Sequence, residues 1–594
     1  MRGKSTKLSL SCIAFLFICM LACVVGVASA KTIYVPDNYT KIQWAVDNAS
    51  DGDTIIVRDG TYYESITVSK HLTIKSENGS ENCIVDGSGS DVFTLKADGI
   101  RIEGFTIKGG YDGIHILSNN NTIINNIISS NDAYGIYLYK SNNHMIRKNE
   151  FMNDGIFVDD SYNNIVEDNT VNGKPLVYLE DESDRIIDNA GQVILVKCKN
   201  ITVMNSELTN TDIGVELWQS DNCLISNNNI SSNVYNGIYL KYSNNNSISN
   251  NKICSNGWDG IGLYGYSNNN IISNNNISNN EYDGIDLCSS NNTIINNIIS
   301  SNNVYGIFIW YSNNNSISDN IISSNNYDGI YFYGYLSSNN IISNNNISSN
   351  GRYGIFLIDS NNNIIYLNNF INNTHNVYSS YYSTNIWNST LKITYTYNGK
   401  TFTNYMGNYW SDYTGSDANG DGIGDTPYSI DSDKDNYPLM RPFEYYFVSE
   451  EPKVSISTDK YEYRAGDLML INITFENPTD ERKSVKFLWR LDIHDYNLSF
   501  TVINNKSLLL PPEFKKTFVI SWRLPKLRAS FNASWYVALY DGTISEDTAD
   551  WRYVCAKKKE EREIAIAEYL REIERSVLQS AKLIKSQIKT TFSA

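Results

Sequence analysis

Glycine recurs at a nearly constant spacing through the middle of the chain, each time followed by isoleucine or valine. From Gly214 to Gly354 the interval between successive repeats is 22 to 25 residues. A period of this length is typical of a solenoid, in which each repeat adds one coil. Isoleucine is β-branched and asparagine disfavours helix, so the repeats predict coils of β-strands and not leucine-rich repeats.

One repeat shows how a coil is built. Residues 306–310 (GIFIW) alternate apolar and aromatic side chains, which is the period-two pattern of a strand. Ile317 and the pair at 321–322 begin two further short strands, with asparagines between them. Asparagine tolerates the left-handed backbone of a corner, and its amide can bond to the main chain. We therefore predict three short strands per coil, with isoleucine stacked inside and ladders of asparagine at the corners.

Composition supports a folded chain of several domains. The 594 residues include 43 tyrosines and 10 tryptophans, far more than a disordered Asn-rich tract carries. The net charge of −17 argues against nucleic acid as a partner, because the phosphate backbone would be repelled. The cysteines that follow the N-terminal segment show no CxxC spacing, so we expect isolated thiols and neither disulfides nor a zinc site.

The N-terminus predicts export. A basic start is followed by an apolar run over residues 8–27 and by small residues at 28–30, the pattern of a signal peptide spanning 1–30. The run is also long enough to be an uncleaved membrane anchor. Asn-X-Ser/Thr sites are dense, as at Asn200 and Asn388, and in an exported chain they predict a glycoprotein.

Two segments carry a resemblance to a known family. The stretch from Thr32 to Ile74 (TIYVPDNYTKIQWAVDNASDGDTIIVRDGTYYESITVSKHLTI) and residues 172–203 (NGKPLVYLEDESDRIIDNAGQVILVKCKNITV) resemble NosD-type surface proteins, common in archaea, of the pectin-lyase-like superfamily. The resemblance implies a right-handed, single-stranded parallel β-helix. It implies an N-terminal cap and first coils at 31–110, with a capping helix near Ile42, and repeats at 111–400. The family name implies copper, but the histidines here are scattered, so no copper site is expected.

The outward positions of the first strand in each coil predict an aromatic face. Exposed rings suit glycans, because they stack on sugar C–H faces while nearby polar groups bond hydroxyls. The alternative is that the rings stack on one another to stabilise the coils. The predicted glycan-binding residues are Tyr137, Tyr139, Trp218, Tyr239, Tyr264, Phe308, Trp310, Tyr331 and Tyr333.

A closing segment at 401–445 carries a predicted calcium loop. Its spacing places side-chain oxygens at positions 1, 3, 5 and 9 of such a loop and a main-chain carbonyl at position 7. The candidate ligands are Asp417, Asn419, Asp421, Ile423 through its carbonyl, and Asp425. Asp431, Asp433 or Asp435 would complete the shell of Ca²⁺. The alternative is an acidic, Gly-rich turn without metal.

Three acids are the only catalytic candidates. Asp259 and Asp283 occupy equivalent positions on neighbouring coils, with Asp286 close by, and paired carboxylates can perform acid–base chemistry on a glycosidic bond. Asp-Gly is also common turn chemistry.

The C-terminal part changes character. Residues 452–555 alternate apolar and polar positions between turn signals, which predicts an immunoglobulin-like β-sandwich. Residues 556–594 predict an amphipathic helix that either docks on the sandwich or mediates self-association.

The leading hypothesis is an exported, non-enzymatic surface or secreted β-helix protein, stapled by calcium, that binds a glycan or another surface protein. A polysaccharide lyase or glycoside hydrolase, and a purely structural envelope component, are the alternatives.

Overall fold

A computed structural model describes residues 30–334, 337–431, 433–447, 452–479, 482–496, 498–526, 530–540 and 544–555. The predicted signal peptide, apart from Ala30, and the predicted C-terminal helix lie outside these residues. The chain divides into two compact units, residues 1–443 and 444–594. In the part of the chain that the structure describes, no helix has the length and apolar character that a membrane crossing requires.

Unit 1 is a right-handed β-solenoid, as predicted, and contains the predicted capping helix, Ile42–Asn48, directly after its first strand. Ile42, Ala45 and Val46 of this helix are buried. Gln43 closes the edge of the first coils, because its amide accepts from Thr67 N at 2.8 Å and donates to Thr67 O at 3.3 Å. A side-chain amide thus supplies the hydrogen bonds of a missing strand, which an exposed sheet edge requires.

The first coils, here called the first stack, have three parallel faces. Sheet A contains Thr32–Val35, Thr54–Val57, Thr73–Ser76, Arg101–Glu103, Thr122–Ile124, Met145–Arg147 and Ile165–Glu167. Sheet B begins with Gly60–Tyr63, Cys83–Asp86, Thr106–Lys108, Ile127–Ser129, Glu150–Met152 and Thr170–Val171. Sheet C contains Ile66–Val68, Phe93–Leu95, Ile114–Ile116, Ile136–Tyr139 and Ile156–Asp159.

The later coils, the second stack, continue sheet B and add two new faces. Sheet B goes on with Lys174–Glu180, Gln192–Val196, Val215–Trp218, Ile238–Lys241, Ile261–Tyr264, Ile285–Leu287, Ile307–Trp310, Ile330–Tyr333, Tyr353–Ile358 and His375–Ser379. Sheet D contains Ile186–Asp188, Thr202–Met204, Leu224–Ser226, Ser247–Ser249, Ile271–Ser273, Thr293–Ile295, Ser316–Ser318, Ile341–Ser343 and Ile364–Tyr366. Sheet E contains Glu207–Thr209, Asn229–Ser231, Lys252–Cys254, Asn276–Ser278, Ile298–Ser300, Ile321–Ser323, Asn346–Ser348, Asn369–Ile371 and Tyr409–Trp410.

The chain reverses direction between the two stacks. Thr170–Val171 pairs antiparallel with Lys174–Pro175 across a tight turn in which Gly173 has φ 77°. Every later strand of sheet B pairs parallel with its predecessor, starting from the reversed strand. A right-handed coil that continues in the same direction with reversed strands must wind on the opposite face of the sheet. The two stacks therefore place their cores on opposite faces of sheet B.

Side-chain alternation at the reversal confirms this switch. Val193 and Leu195 belong to the core of the second stack, whereas Ile194 and Val196 belong to the core of the first. Likewise, Leu217 belongs to the core of the second stack and Trp218 to the core of the first. We call Lys174–Glu180, Gln192–Val196 and Val215–Trp218 the shared wall, because alternate apolar side chains of these strands pack against the two cores. Gln192–Val196 is buried at every position, as a strand covered on both faces is.

Asparagines occur in pairs at the corners, and the two members have different roles. The first member adopts left-handed φ, as at Asn296 with 57°. The second is buried and joins a ladder, as at Asn297, whose Nδ2 lies 3.1 Å from Asn320 Oδ1 one coil on. The longest such ladder contains Asn228, Asn251, Asn275, Asn297, Asn320, Asn345, Asn368 and Asn408. The predicted asparagine corners are confirmed.

The remaining elements of unit 1 close the second stack. They are the antiparallel pairs Ile393–Tyr397 with Lys400–Asn404 and Tyr428–Ile430 with Asp433–Asp435, and a 3-10 helix at Phe443–Tyr446 that runs into unit 2. The buried Asp435 Oδ2 accepts from Asn408 N at 2.8 Å, so it terminates the long asparagine ladder.

Unit 2 contains two sheets around one core. The first has three strands, Lys453–Thr458, Leu468–Asn477 and Phe514–Arg523. The second has five, Glu462–Tyr463, Ile544–Tyr553, Phe531–Tyr540, Lys483–Ile493 and Leu498–Leu510, with a 3-10 helix at His494–Tyr496. The immunoglobulin-like assignment stays a prediction.

We predict that the asparagine ladder is a main source of stability. Asn297→Ala removes the side-chain acceptor of Asn275 N and the side-chain donor to Ile272 O, two buried backbone groups, and leaving such a group without a partner costs about 1–3 kcal/mol. The exposed Asn303 is the matched control, because Asn303→Ala loses one exposed hydrogen bond to Asn326. Denaturant unfolding checks this; equal effects of the two variants would contradict it.

Candidate functional site

The outward face of sheet B in the second stack carries six of the predicted aromatic residues, Tyr239, Tyr264, Phe308, Trp310, Tyr331 and Tyr333, whereas Tyr137 and Tyr139 lie on sheet C of the first stack. Ile307 and Ile309 are fully buried, whereas Phe308 and Trp310 between and after them are half-buried. The next coil repeats this alternation in Ile330–Tyr333. The predicted register of inward and outward side chains is confirmed for these coils.

The rings form two adjacent rows. In the strand row, Phe308 stacks on Tyr331 with ring centres 5.3 Å apart, and Phe356 stacks on Tyr378 at 4.5 Å. A second row at the preceding corner contains Tyr235, Trp258, Tyr282, Tyr305, Tyr327 and Tyr353. Tyr305 lies 4.6 Å from Tyr331, so the rows touch. Mutual stacking buries part of each ring and leaves edges exposed, as at Tyr333, which is 45% exposed.

The outward face of sheet C joins these rows where the two stacks meet. Tyr134 of the first stack stacks on Tyr235 at 4.6 Å, and Phe157 meets Tyr239 edge-on at 5.8 Å. Lys241 also reaches Asp159 at 3.1 Å. We call the combined set of rings the aromatic surface; its members are Tyr134, Tyr137, Tyr139, Phe157, Tyr239, Phe308, Trp310, Tyr331, Tyr333, Phe356, Tyr378 and the corner row.

Trp218 is not part of this surface, and its predicted exposure is wrong. It is 2% exposed, packs in the core of the first stack, and donates to Tyr162 Oη at 2.7 Å. The physical reason is the shared wall, because its outward face covers the first stack and not solvent. The neighbouring Glu216 is also buried, accepts from Val158 N at 3.2 Å, and has its pKa raised well above the usual value by burial.

Tyr264 also differs from the prediction, because it is bound into a group of acids. Its hydroxyl lies 3.1 Å from Asp259 Oδ2 and 2.9 Å from Asp286 Oδ2. A phenol has one proton, so it can donate to only one carboxylate, and the other must itself be protonated to donate in return. Gly262 permits this arrangement, since a Cβ there would collide with the Tyr264 ring.

The catalytic candidates Asp259 and Asp283 share a structural role. Each precedes the repeat glycine and accepts a backbone N–H of the next coil: Asp283 N for Asp259 at 3.1 Å, and Tyr305 N for Asp283 at 2.8 Å. Asp328 does the same for Tyr353 N at 2.9 Å. This pattern favours the turn interpretation for both acids.

Burial sets the protonation of these acids. It raises the pKa of Asp259 to about 6 and that of Asp286 to about 7. The pKa of Asp283 rises to about 9, first through burial and then through the charge of Asp259. Asp286 stands at an outward strand position and accepts from Trp310 Nε1 at 2.7 Å.

The predicted calcium ligands lie in one loop. Asp417 Oδ2 accepts from Gly422 N at 2.9 Å, and Asp421 Oδ1 from Ile423 N at 2.9 Å. Asp425 Oδ2 accepts from Ala418 N at 2.8 Å, while Asn419 Oδ1 accepts from Asp421 N at 3.0 Å. The side-chain oxygens of the loop thus accept hydrogen bonds from backbone N–H groups of the same loop. Its occupancy by Ca²⁺ stays a prediction.

The three acids expected to complete the calcium shell are used elsewhere. Asp431 Oδ2 accepts from Ser379 N at 3.0 Å, and Asp433 Oδ2 from Trp387 Nε1 at 3.2 Å. Asp435 terminates the asparagine ladder. They close the end of the second stack, because their antiparallel strand pair folds back onto the last coils.

A cluster that sequence reasoning missed lies at the edge of the aromatic surface. His115 Nδ1 is 3.2 Å from Asp91 Oδ2 and 3.5 Å from Asp112 Oδ2, and its ring stacks on Tyr137 at 4.9 Å. Burial raises the pKa of Asp112 to about 6, whereas the hydrogen bond from His115 lowers that of Asp91. The sequence signal for this cluster was the interval between Asp91 and Asp112, which is nearly the length of one repeat and predicts that they lie on neighbouring coils.

Comparisons with known proteins agree with the fold. The model of the right handed β-helix region matches residues 72–192 and 190–335, and the model of the periplasmic copper-binding protein NosD matches residues 263–415. A cell surface glycoprotein of the archaeon Methanothermus fervidus is 39% identical over 128 residues. That match spans 20% of this chain and 21% of the relative.

Among solved structures, the A-modules of two mannuronan C-5 epimerases of Azotobacter vinelandii are similar. They are 16% and 15% identical, with TM-scores of 0.31 and 0.30. The similarity covers 58% and 60% of this chain and 92% and 99% of theirs.

The donors of the NosD-matched segment do not fit a copper site. Residues 263–415 contain one histidine, one cysteine and one methionine, His375, Cys288 and Met406, on different parts of the solenoid. Copper sites gather soft and imidazole donors in one place. We therefore assign no copper-dependent chemistry to this segment. The repeats, the coils and the family models together show that the chain contains a right-handed parallel β-helix, of which residues 263–415 are similar to NosD.

Proposed function

We propose that this is an exported surface protein that binds a glycan along the aromatic surface. The surface glycoprotein relative and the periplasmic family model support export. The observation that carries the binding proposal is the two-row band of partly exposed rings, which runs over the coils from Tyr305 to Tyr378 and is preceded by a second group of rings from Tyr235 to Tyr282. A repeating ligand can contact equivalent rings on successive coils.

The chemistry of the band suits a carbohydrate. Aromatic faces and edges pack on sugar C–H groups, while polar groups at the rim bond hydroxyls. Lys241, Asp159 and Arg352 supply such groups beside the rings, with Arg352 lying 4.4 Å from the centre of Phe356. A protein partner is the other occupant that an exposed aromatic band suits.

We also propose that Ca²⁺ holds the closing segment. Asp417, Asp421 and Asp425 bring three carboxylates into one short loop, and like charges so close favour a bound cation. The loop is joined to the end of the second stack through the bridge between Ile423 and Leu439. Calcium there would stabilise the last coils.

The enzymatic alternative rests on Asp259, Asp283 and Asp286. Their raised pKa values are typical of catalytic acids. Their oxygens, however, bond to Tyr264, to Trp310 and to backbone amides, which favours a structural role. A polysaccharide panel followed for new reducing ends or unsaturated products separates turnover from binding.

We predict that Tyr333→Ala weakens glycan binding without unfolding the protein. One ring contributes about 0.5–1.5 kcal/mol, so Kd should rise about 2- to 12-fold. Tyr63 is the matched control, because it is 71% exposed and lies outside the aromatic surface. Glycan-array screening followed by calorimetry checks this. If Tyr63→Ala and Tyr333→Ala change Kd equally, the surface is assigned wrongly.

We predict that Ca²⁺ raises the melting temperature of EDTA-treated protein and that Asp421→Ala removes this response to Ca²⁺. An ion that binds only the folded state adds stability by mass action. The exposed Asp132 serves as control, since Asp132→Ala should respond to Ca²⁺ as the wild type does. A wild-type melting temperature that is indifferent to EDTA and to added Ca²⁺ would exclude the calcium loop.

We predict that Asp283→Asn reduces the loss of stability that occurs as pH rises towards 9. The pKa of Asp283 in the folded protein is raised to about 9, whereas that of an unfolded aspartate is about 4. Its contribution to the free energy of unfolding is therefore complete below about pH 4 and is lost as pH rises towards 9. One fully linked proton changes the unfolding free energy by about 1.4 kcal/mol per pH unit. Denaturant unfolding between pH 5 and 9 measures this slope, with the exposed Asp319→Asn as control. Parallel profiles for Asp283→Asn and wild type would show that Asp283 does not titrate in this range.

A further inference from the structure

We infer that Asp91, Asp112 and His115 form a binding site for a divalent transition-metal cation of the Zn²⁺ class. The site lies in the first stack, outside the calcium loop and outside the NosD-matched segment. It does not depend on glycan binding.

Two of the three separations between the donor atoms match those of a metal site. Among the described residues, one ligand atom from each of the three side chains lies within 4.8 Å of the others. Around a tetrahedral Zn²⁺ with bonds of about 2.0–2.1 Å, neighbouring donors are separated by about 3.3–3.4 Å. The distances from His115 Nδ1 to the two carboxylate oxygens, 3.2 and 3.5 Å, bracket that value.

Both carboxylates are held in place through one oxygen and present the other. Asp91 Oδ1 accepts from Asp112 N at 3.3 Å, and Asp112 Oδ1 accepts from Tyr134 N at 3.2 Å. Backbone anchors of this kind orient metal ligands. Thr94 Oγ1, 3.3 Å from Asp91 Oδ2, stands beside the same oxygen.

Asp112 Oδ2 is the observation that points to a cation. Its side chain is 3% exposed, and among the residues that the structure describes Oδ2 accepts no hydrogen bond and makes one ion-pair contact, with His115 Nδ1 at 3.5 Å. Two of the equivalent acids on other coils have partners there: Asp259 Oδ2 takes Asn236 and Tyr264, and Asp328 Oδ2 pairs with the guanidinium of Arg352. A buried carboxylate oxygen needs such compensation. At Asp112 the compensation is a metal ion shared with His115 and Asp91.

The ligand set selects the class of ion. One imidazole nitrogen and two carboxylate oxygens suit Zn²⁺, Co²⁺ or Mn²⁺, whereas Ca²⁺ takes six to eight oxygens. Three protein ligands also leave a coordination position open. Because His115 stacks on Tyr137, the site lies next to the aromatic surface.

The test is Zn²⁺ binding by the full chain after removal of metal, with Ca²⁺ in excess to saturate any calcium loop. Calorimetry should find a Zn²⁺ site that is weakened at least tenfold by His115→Phe and by Asp112→Asn. The phenyl ring of the first variant preserves the stack on Tyr137, and the side-chain carbonyl of the second keeps an acceptor for Tyr134 N. His375→Phe is the matched control, because His375 stacks on Tyr353 at 5.1 Å and should leave affinity unchanged.

A second measurement does not depend on variants. Anomalous diffraction at the zinc edge should place a peak within bonding distance of His115 Nδ1, about 2.0–2.1 Å. Binding that survives His115→Phe unchanged, or an absent peak at saturating Zn²⁺, would overturn the proposal and leave an ion pair between His115 and Asp91.

Discussion

The shared wall is the constraint on which the rest of unit 1 depends. Its strands bury both faces, one against the core of each stack. Because sheet B reverses strand direction at Gly173, a right-handed coil can continue only on the other face. The wall then needs apolar side chains on both faces, and the run from Val193 to Val196 provides them. Two separate hydrophobic cores are thereby joined without a gap.

The wall also closes the free edge of sheet C. Gln192 accepts from Ile156 N at 3.0 Å and donates to Ile156 O at 2.8 Å, and Glu216 accepts from Val158 N. Gln43 makes the same pair of bonds with Thr67 at the opposite edge. Each end of the sheet therefore meets a glutamine amide in place of a strand. This matters because unpaired strand edges invite association with other chains.

The aromatic surface follows from the same geometry. At the shared wall, the outward face of sheet B is covered by the first stack. On the later coils of the second stack, the outward positions no longer pack in a core. Rings at these positions stabilise one another by stacking, and they remain partly accessible to a ligand. Tyr239 and Lys241 occupy the transition, where contacts with Phe157 and Asp159 tie the two stacks together.

Much of the fold could be predicted from the sequence, since the glycine period gives the coil and the period-two pattern gives the register of Ile307 to Trp310. The asparagine pairs likewise predicted the corners. The pattern could not predict what covers an outward face, so Trp218 was expected to be exposed. The apolar run at 193–196 was the available signal of a strand buried on both faces. The cluster around His115 depends on which coils neighbour each other and on side-chain direction, and neither is visible in residue spacing alone.

Hydrogen exchange at the edge of sheet C tests the shared wall most directly. Backbone amides of Ile156 and Val158 should be protected in the wild type, because Gln192 and Glu216 accept from them. In Gln192→Leu, exchange at Ile156 should accelerate while the strand at Ile330–Tyr333 stays protected. Rapid exchange of both amides in the wild type, as at an uncovered sheet edge, would contradict the arrangement of the two stacks on opposite faces of one sheet.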